Sequence, residues 1–142
     1  MALGAAPALI DSSLWIDFTR RRSPVALKRF IAPHILAPQA ALAEPIIFEV
    51  LRHATDEESR AIEAQFQTLP LLPTPRDLWT RAATLGQRCR GKGITAGSLD
   101  LLIVAVAIHH QADLITFDAD FQTIAQVCNL RVKLLQRPGR SS

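Results

Sequence analysis

Apolar and polar positions along the chain fall into short runs that punctuate it clearly. Ala8-Leu9-Ile10 is an apolar run that stops at Asp11-Ser12-Ser13, and Leu14-Trp15-Ile16-Asp17-Phe18 then resumes an apolar pattern. This predicts a buried strand over 8–10 with an acid at its carboxyl end, then a helix over 14–19 with a serine at its cap. Ser23-Pro24 opens a second helix through Phe30, and Pro33 and Pro38 bracket a connector or short strand over 34–37. Glu44-Pro45 starts a helix to Arg52, and Asp56 caps another that reaches Leu69. The run 69–73, apolar and bounded by prolines, predicts an edge strand. Helical spacing returns from Pro75 to Arg90, with Leu78, Ala82 and Leu85 on one face and Gly91 and Gly93 ending it. Ser98 caps the most apolar helix, Leu99 to His110. A strand over 113–117 that ends in Asp118, a helix over 120–127 and a strand over 131–135 complete the pattern. Short apolar strands alternating with helices predict an α/β domain, with a parallel sheet of about four to five strands flanked by helices on both faces. The domain is expected over 8–136, with 1–7 a disordered N-terminal extension and 137–142 a C-terminal tail.

The acids inside these apolar runs carry the candidate chemistry. Asp11 ends the first strand. Glu49 interrupts Ile46-Ile47-Phe48 and Val50-Leu51, Asp100 lies in the first turn of the most apolar helix, and Asp118 ends the strand over 113–117. A lone buried carboxylate costs several kcal/mol or is driven neutral. Each acid also has a plainer reading. Asp11 and Asp118 suit turns, Glu49 can pair with Arg52 or His53, and Asp100 suits a helix amino terminus. One shared cause accounts for all of them. In a parallel sheet Asp11 and Asp118 share the carboxyl edge, and a cluster of hard oxygen ligands selects Mg²⁺ or Mn²⁺.

Composition narrows the classes. The chain has 142 residues, 49% of them hydrophobic and 20% charged, which suits one packed domain rather than disorder. Its longest unbroken apolar run, Leu101 to Ile108, falls far short of the about 18 residues of a membrane span. The first residues lack a basic, signal-like start, so a cytoplasmic protein is expected. Cys89 and Cys128 have no ligand spacing, and His34, His53, His109 and His110 fit no zinc pattern. The net charge of +3 and the basic clusters at 20–22, 28–29, 88–92 and 131–140 permit a nucleic-acid partner without requiring one.

The ordered set of motifs carries a family resemblance. Leu9-Ile10-Asp11-Ser12-Ser13-Leu14-Trp15-Ile16-Asp17-Phe18 is followed by Phe48-Glu49-Val50-Leu51-Arg52 and Gly93-Ile94-Thr95. After these come Asp100-Leu101-Leu102-Ile103-Val104-Ala105 and Leu114-Ile115-Thr116-Phe117-Asp118-Ala119-Asp120-Phe121. Together, over about residues 9–135, they resemble PIN-domain ribonucleases of the VapC type, the toxin half of bacterial toxin–antitoxin pairs. The resemblance implies a single PIN-like domain and a Mg²⁺-dependent endoribonuclease, with Mn²⁺ as a substitute ion. Its acidic cluster would be Asp11, Glu49, Asp100 and Asp118, with Asp11 and Asp100 the principal metal ligands. Ser12 and Thr116 fall at the family's hydroxyl positions, and Asp120 is a secondary acid. The implied partners are RNA, a small VapB-like antitoxin and a second copy of the chain, with no membrane. This chain departs from the pattern at His53, where glycine is common, and at Phe117, where a basic residue is frequent. Its first strand also starts further from Met1 than usual.

Two rivals stand beside this reading. An Asp-nucleophile phosphatase or dehalogenase would need a second acid two residues after Asp11, where Ser13 stands, and a lysine in the site. The chain's only lysines are Lys28, Lys92 and Lys133. A catalytically inert PIN-like RNA-binding or interaction module would have lost acids, and none is missing. Arg20 to Arg22 or Arg88 to Lys92 are the candidate guides for a phosphate backbone. Trp15, Phe18, Phe66 and Trp79 are each expected in the core.

Overall fold

Leu9 sits opposite Ala41 on one side and Leu114 on the other, which makes the first apolar run the middle of a sheet. The computed structural model describes residues 6–139. Strands β1 (Ala8–Ile10), β2 (Ala40–Ala41), β3 (Asp113–Thr116) and β4 (Arg131–Leu134) form one parallel sheet in the order β2-β1-β3-β4. Helices α1 (Ser12–Thr19) and α2 (Val25–Ile35) connect β1 to β2. Between β2 and β3 come α3 (Glu44–Arg52), α4 (Asp56–Phe66), α5 (Leu78–Gly91) and α6 (Ser98–His109). A short α7 (Asp120–Ile124) and a 3₁₀ turn (Ala125–Val127) lead to β4. The chain moves one way from β1 to β2 and the other way from β2 to β3. Right-handed crossovers therefore put α1 and α2 on one face and α6 and α7 on the other. The point of reversal lies between β1 and β3, where open α/β sheets keep their crevice.

The expected α/β domain is present with four strands, but several local details differ. The helix expected to stop at Phe30 runs through Pro33 to Ile35. Ile31 and Ile35, one turn apart, are both buried, and that packing outweighs the backbone bond a proline cannot donate. The second strand is Ala40–Ala41 rather than the 34–37 connector, and its two alanines are almost fully buried against β1. The 69–73 run contributes only a single bridge, Leu42 to Leu71, instead of an edge strand. Thr55, not Asp56, caps α4, in a reciprocal box with Glu58. The caps of α1 and α6 are Asp11 and Gly97 rather than serines. Residues 1–5 of the expected 1–7 extension, and 140–142 of the expected tail, lie outside the described residues. Pro7 joins the sheet through its carbonyl, which accepts from the Asp113 backbone N–H at 2.8 Å.

The core is built mainly from Leu9, Ile10, Leu14, Trp15, Ile46, Ile103, Leu114 and Phe121, all essentially inaccessible. Trp15 meets Phe66 edge to face, with centroids 4.8 Å apart. Phe18 packs partly against this core, whereas Trp79 is 72% exposed on α5 and lies outside it. The face of α5 that is buried carries Leu78, Ala82, Leu85 and Cys89, and Trp79 falls off that stripe. The Trp15 indole N–H has no hydrogen-bond partner among the described residues. Trp15→Phe deletes that orphaned donor and is expected to cost less than about 1.5 kcal/mol. Trp15→Ala leaves a cavity and should cost about 3–5 kcal/mol. Urea denaturation of both variants measures the gap, and equal losses would show that the indole N–H carries no penalty.

Candidate active site

The carboxyl ends of β1 and β3 bring the predicted acids towards one place. Asp11 follows β1 directly, and its side chain caps α1 by accepting from the Ser13 backbone N–H. Its Oδ2 also takes the hydroxyls of Ser13 at 2.7 Å and Thr116 at 2.8 Å. Among the described residues Oδ1 accepts only the Ser12 hydroxyl, at a long 3.4 Å, and that hydroxyl makes a much closer contact to the Glu49 carboxylate. Asp11 is 2% exposed, so Oδ1 is a buried carboxylate oxygen without a close donor. Burial pushes the Asp11 carboxyl above its ordinary value, and the bonds from Ser13, Thr116 and Ser12 offset only part of that.

The hydroxyls form a cradle with defined directions. Thr116 is fully buried; it donates to Asp11 and accepts from the Asp118 backbone N–H at 2.9 Å. Ser13 likewise donates to Asp11 and accepts from the Phe117 backbone N–H at 3.1 Å. The chain leaving β3 is thus fastened to the amino terminus of α1 at two points. The Asp118 carboxylate accepts from the Asp120 backbone N–H at 2.9 Å, which closes the turn into α7 and sets Asp120 beside it.

Asp100, Asp118 and Asp120 each offer a carboxylate oxygen within 4.8 Å of the other two. Asp100 stands in the first turn of α6, where the helix dipole favours an anion. Its carboxyl is nevertheless pushed up to about 6, by burial first and then by the charges of Asp118, Asp11, Glu49 and Asp120. Asp11 and Glu49 share the Ser12 hydroxyl, and both act on the Asp100 carboxyl by their charge. All the acids singled out from the sequence therefore converge, and Asp120 joins Asp100 and Asp118 in the tightest group. A Cβ on Gly97, the cap before α6, would stand 3.9 Å from an Asp100 carboxylate oxygen, in ordinary van der Waals contact.

The chain that carries these acids matches a known family over most of its length. The family model described as PIN domain matches residues 8–127. A VapC ribonuclease of Mycobacterium bovis is 34% identical over 129 residues, covering 87% of this chain and 95% of that protein. The chain belongs to the PIN-domain family. Ribonuclease VapC11 of Mycobacterium tuberculosis is similar to the same extent, 34% over 129 residues with the same shares covered. Among solved structures, VapBC2 from Rickettsia felis bound to a promoter DNA fragment aligns with a TM-score of 0.70 and 16% identity, over 91% of this chain and 98% of that one. Mycobacterium tuberculosis VapC20, described as a sarcin–ricin loop cleaving toxin, aligns at 0.66 with 18% identity, over 87% and 98%. These structural likenesses show a shared PIN fold. No helix among the described residues of this PIN domain is long and apolar enough to cross a membrane.

Sequence reasoning missed one neighbour of the site. Phe117, next to Asp118, carries the guanidinium of Arg137 over its ring, 4.5 Å from the centroid. Arg137 belongs to the segment read as a tail, and its Nε donates to Asp17 of α1 at 2.6 Å. The neighbouring arginine clusters sit on other contacts. Arg20, Arg21 and Arg22 gather with Thr55 and Glu58 of α4, and Arg88 lines a groove with Ile108 and Cys128. Ile108 stands about 12 Å along α6 from Asp100.

Proposed function

We propose that this chain is an endoribonuclease that requires a divalent cation, Mg²⁺ with Mn²⁺ as a substitute, and that it is the toxin of a VapBC-type pair. The observation that carries this is the buried Asp11 carboxylate, whose Oδ1 is met only by a long 3.4 Å contact from the Ser12 hydroxyl among the described residues, in a site it shares with Asp100, Asp118, Asp120 and Glu49. Such a donor set consists of hard oxygens with an excess of negative charge, and it fits a small divalent ion rather than zinc or copper. Asp11, Asp100, Asp118 and Asp120 would hold the ion, with Glu49 completing the set. A divalent cation bound there supplies Lewis acidity for hydrolysis of an RNA phosphodiester by water.

The chain's own residues do the rest. Ser13 and Thr116 occupy Oδ2 of Asp11, so Oδ1 is the oxygen that would hold a bound cation. Ser12 holds the Glu49 carboxylate, so that acid is aimed without being buried. Asp120, exposed at the rim, is free to reach a substrate-side position. The relatives named VapC ribonucleases support RNA as substrate, and the structures of VapBC complexes support a small VapB-like antitoxin that covers the acids. A homodimer and a cytoplasmic location belong to the same reading.

The test is metal binding and RNA cleavage measured together. Calorimetry is expected to show Mn²⁺ binding below about millimolar in wild type and at least about tenfold weaker in Asp100→Asn. Cleavage of RNA should vanish in a chelator and return with Mg²⁺ or Mn²⁺. Cleavage that persists unchanged in chelator would end the metal-dependent reading. Absence of any Mn²⁺ binding together with absence of cleavage would instead identify an inert module.

A further inference from the structure

Phe117 has no part in the chemistry above, yet its backbone is tied to the ligand cradle through Ser13. Its ring stacks on Phe30 of α2, with centroids 6.3 Å apart and planes 22° from parallel. His34, one turn along α2, meets Phe30 edge-on at 6.1 Å. Burial and the nearby charge of Lys133 hold the His34 imidazole below its ordinary value, so it stands neutral at pH 7. The contacts thus run from His34 through Phe30 and Phe117 to Arg137: three rings in a row with a guanidinium at one end.

The Arg137 ion pair is lopsided. Asp17 is 14% exposed while Arg137 remains 51% exposed. An exposed pair of this kind adds at most about 1 kcal/mol to stability. Its geometric effect is larger, because it fixes the plane of the guanidinium over Phe117 and leaves the outer face open to solvent. Phe30 also keeps 36% of its surface exposed, whereas Trp15 of α1 and Phe121 of α7 are essentially inaccessible.

Bases stack on aromatic rings and on guanidinium planes, and flanking cations neutralise the phosphates between them. An acid-rich centre repels a phosphodiester, so cations beside it must hold the strand. Here Arg137 stands over the ring of Phe117, the residue next to Asp118. We infer that Phe30, Phe117 and Arg137 form a stacking platform for an unpaired nucleotide beside the scissile phosphate. This rests on the ribonuclease reading above and selects single-stranded RNA as the form bound.

The platform is testable without turnover. In the full chain carrying Asp100→Asn, anisotropy of a fluorescein-labelled single-stranded oligoribonucleotide is read at about 0.1 M salt. Phe30→Ala and Arg137→Ala are each expected to weaken binding by about 5- to 50-fold. Arg137→Lys keeps the charge but not the planar fork, and it should remain at least about threefold weaker. The same RNA in duplex form should change by less than about twofold, because its bases are not free to stack. Variants that bind single strands as the parent does, or that lose duplex binding equally, would overturn the platform while leaving the ribonuclease reading intact. A parent that binds no single-stranded RNA at all would remove both.

Discussion

Asp100→Asn is expected to slow RNA cleavage by at least about 1000-fold and, in metal-free buffer near neutrality, to raise the melting temperature. The second half of that result follows from charge. In the folded protein the Asp100 carboxyl stands at about 6 against an ordinary 3.8, through burial first and then the surrounding acids. A group whose folded value is raised binds its proton more tightly in the native state. Its contribution is fully present below the ordinary value and is lost as pH rises through about 6. The site is half-exposed, so solvent screening leaves a term on the order of 1 kcal/mol. The wild type in chelator should therefore melt several degrees lower at about pH 7.5 than at about pH 5, and Asp100→Asn should flatten that difference. Mn²⁺ should do the same for wild type by replacing the proton. Thermal melts of both proteins with and without the ion decide it. An Asp100→Asn variant that melts below wild type in chelator near neutrality would show that the acids are not in mutual repulsion.

Thr116→Val is expected to combine a large loss of stability with a loss of activity. The swap keeps the shape but removes one hydroxyl that serves two buried bonds, to Asp11 at 2.8 Å and from the Asp118 N–H at 2.9 Å. Leaving the Asp118 N–H unpaired and Asp11 Oδ2 with Ser13 alone should cost about 1–3 kcal/mol. Cleavage should fall about 10- to 100-fold, because Asp11 loses a bond that orients it and the turn carrying Asp118 loosens. Thr116→Ser retains the hydroxyl and should stay within about 1.5 kcal/mol and a few-fold of wild-type rate. Denaturant titration and initial rates on one RNA separate the two variants. If the valine and serine variants behave alike, the hydroxyl does not position the site.

Much of this site can be read from the sequence because carboxylates are conspicuous where they break apolar runs. Asp11, Glu49, Asp100 and Asp118 each do so, and the structure brings them together with Thr116 and Ser12. Asp120 is harder to rank. It follows Asp118 in a turn, and only the bond from its backbone N–H to the Asp118 carboxylate decides that the two acids sit side by side. Arg137 gives no local sign at all, since its partner Asp17 lies 120 positions away. The sheet shows the same division. Apolar runs announce β1 and β3, but Ala40–Ala41 has weak strand preference and becomes β2 only through pairing with Ala8 and Leu9. Pro33 hides the last turn of α2 for a related reason: local chemistry opposes a helix there, and the burial of Ile35 overrides it. Trp79 misleads in the opposite direction, because hydrophobicity alone does not say which side of α5 faces inward.

Asp11 is at once the cap of α1 and the innermost acid. A capping side chain is worth about 1 kcal/mol to the helix it starts, and only Asn, Ser or Thr could take over that duty. Asp100 is likewise pushed up by burial but caps no helix, and Asp120 is exposed. A lineage that abandons cleavage therefore meets unequal resistance: drift can erase Asp120 and Asp100 freely, while position 11 stays confined to the few residues able to begin a helix. Degenerate descendants of this chain should be recognisable by a helix-capping residue after the first strand long after the other acids have gone.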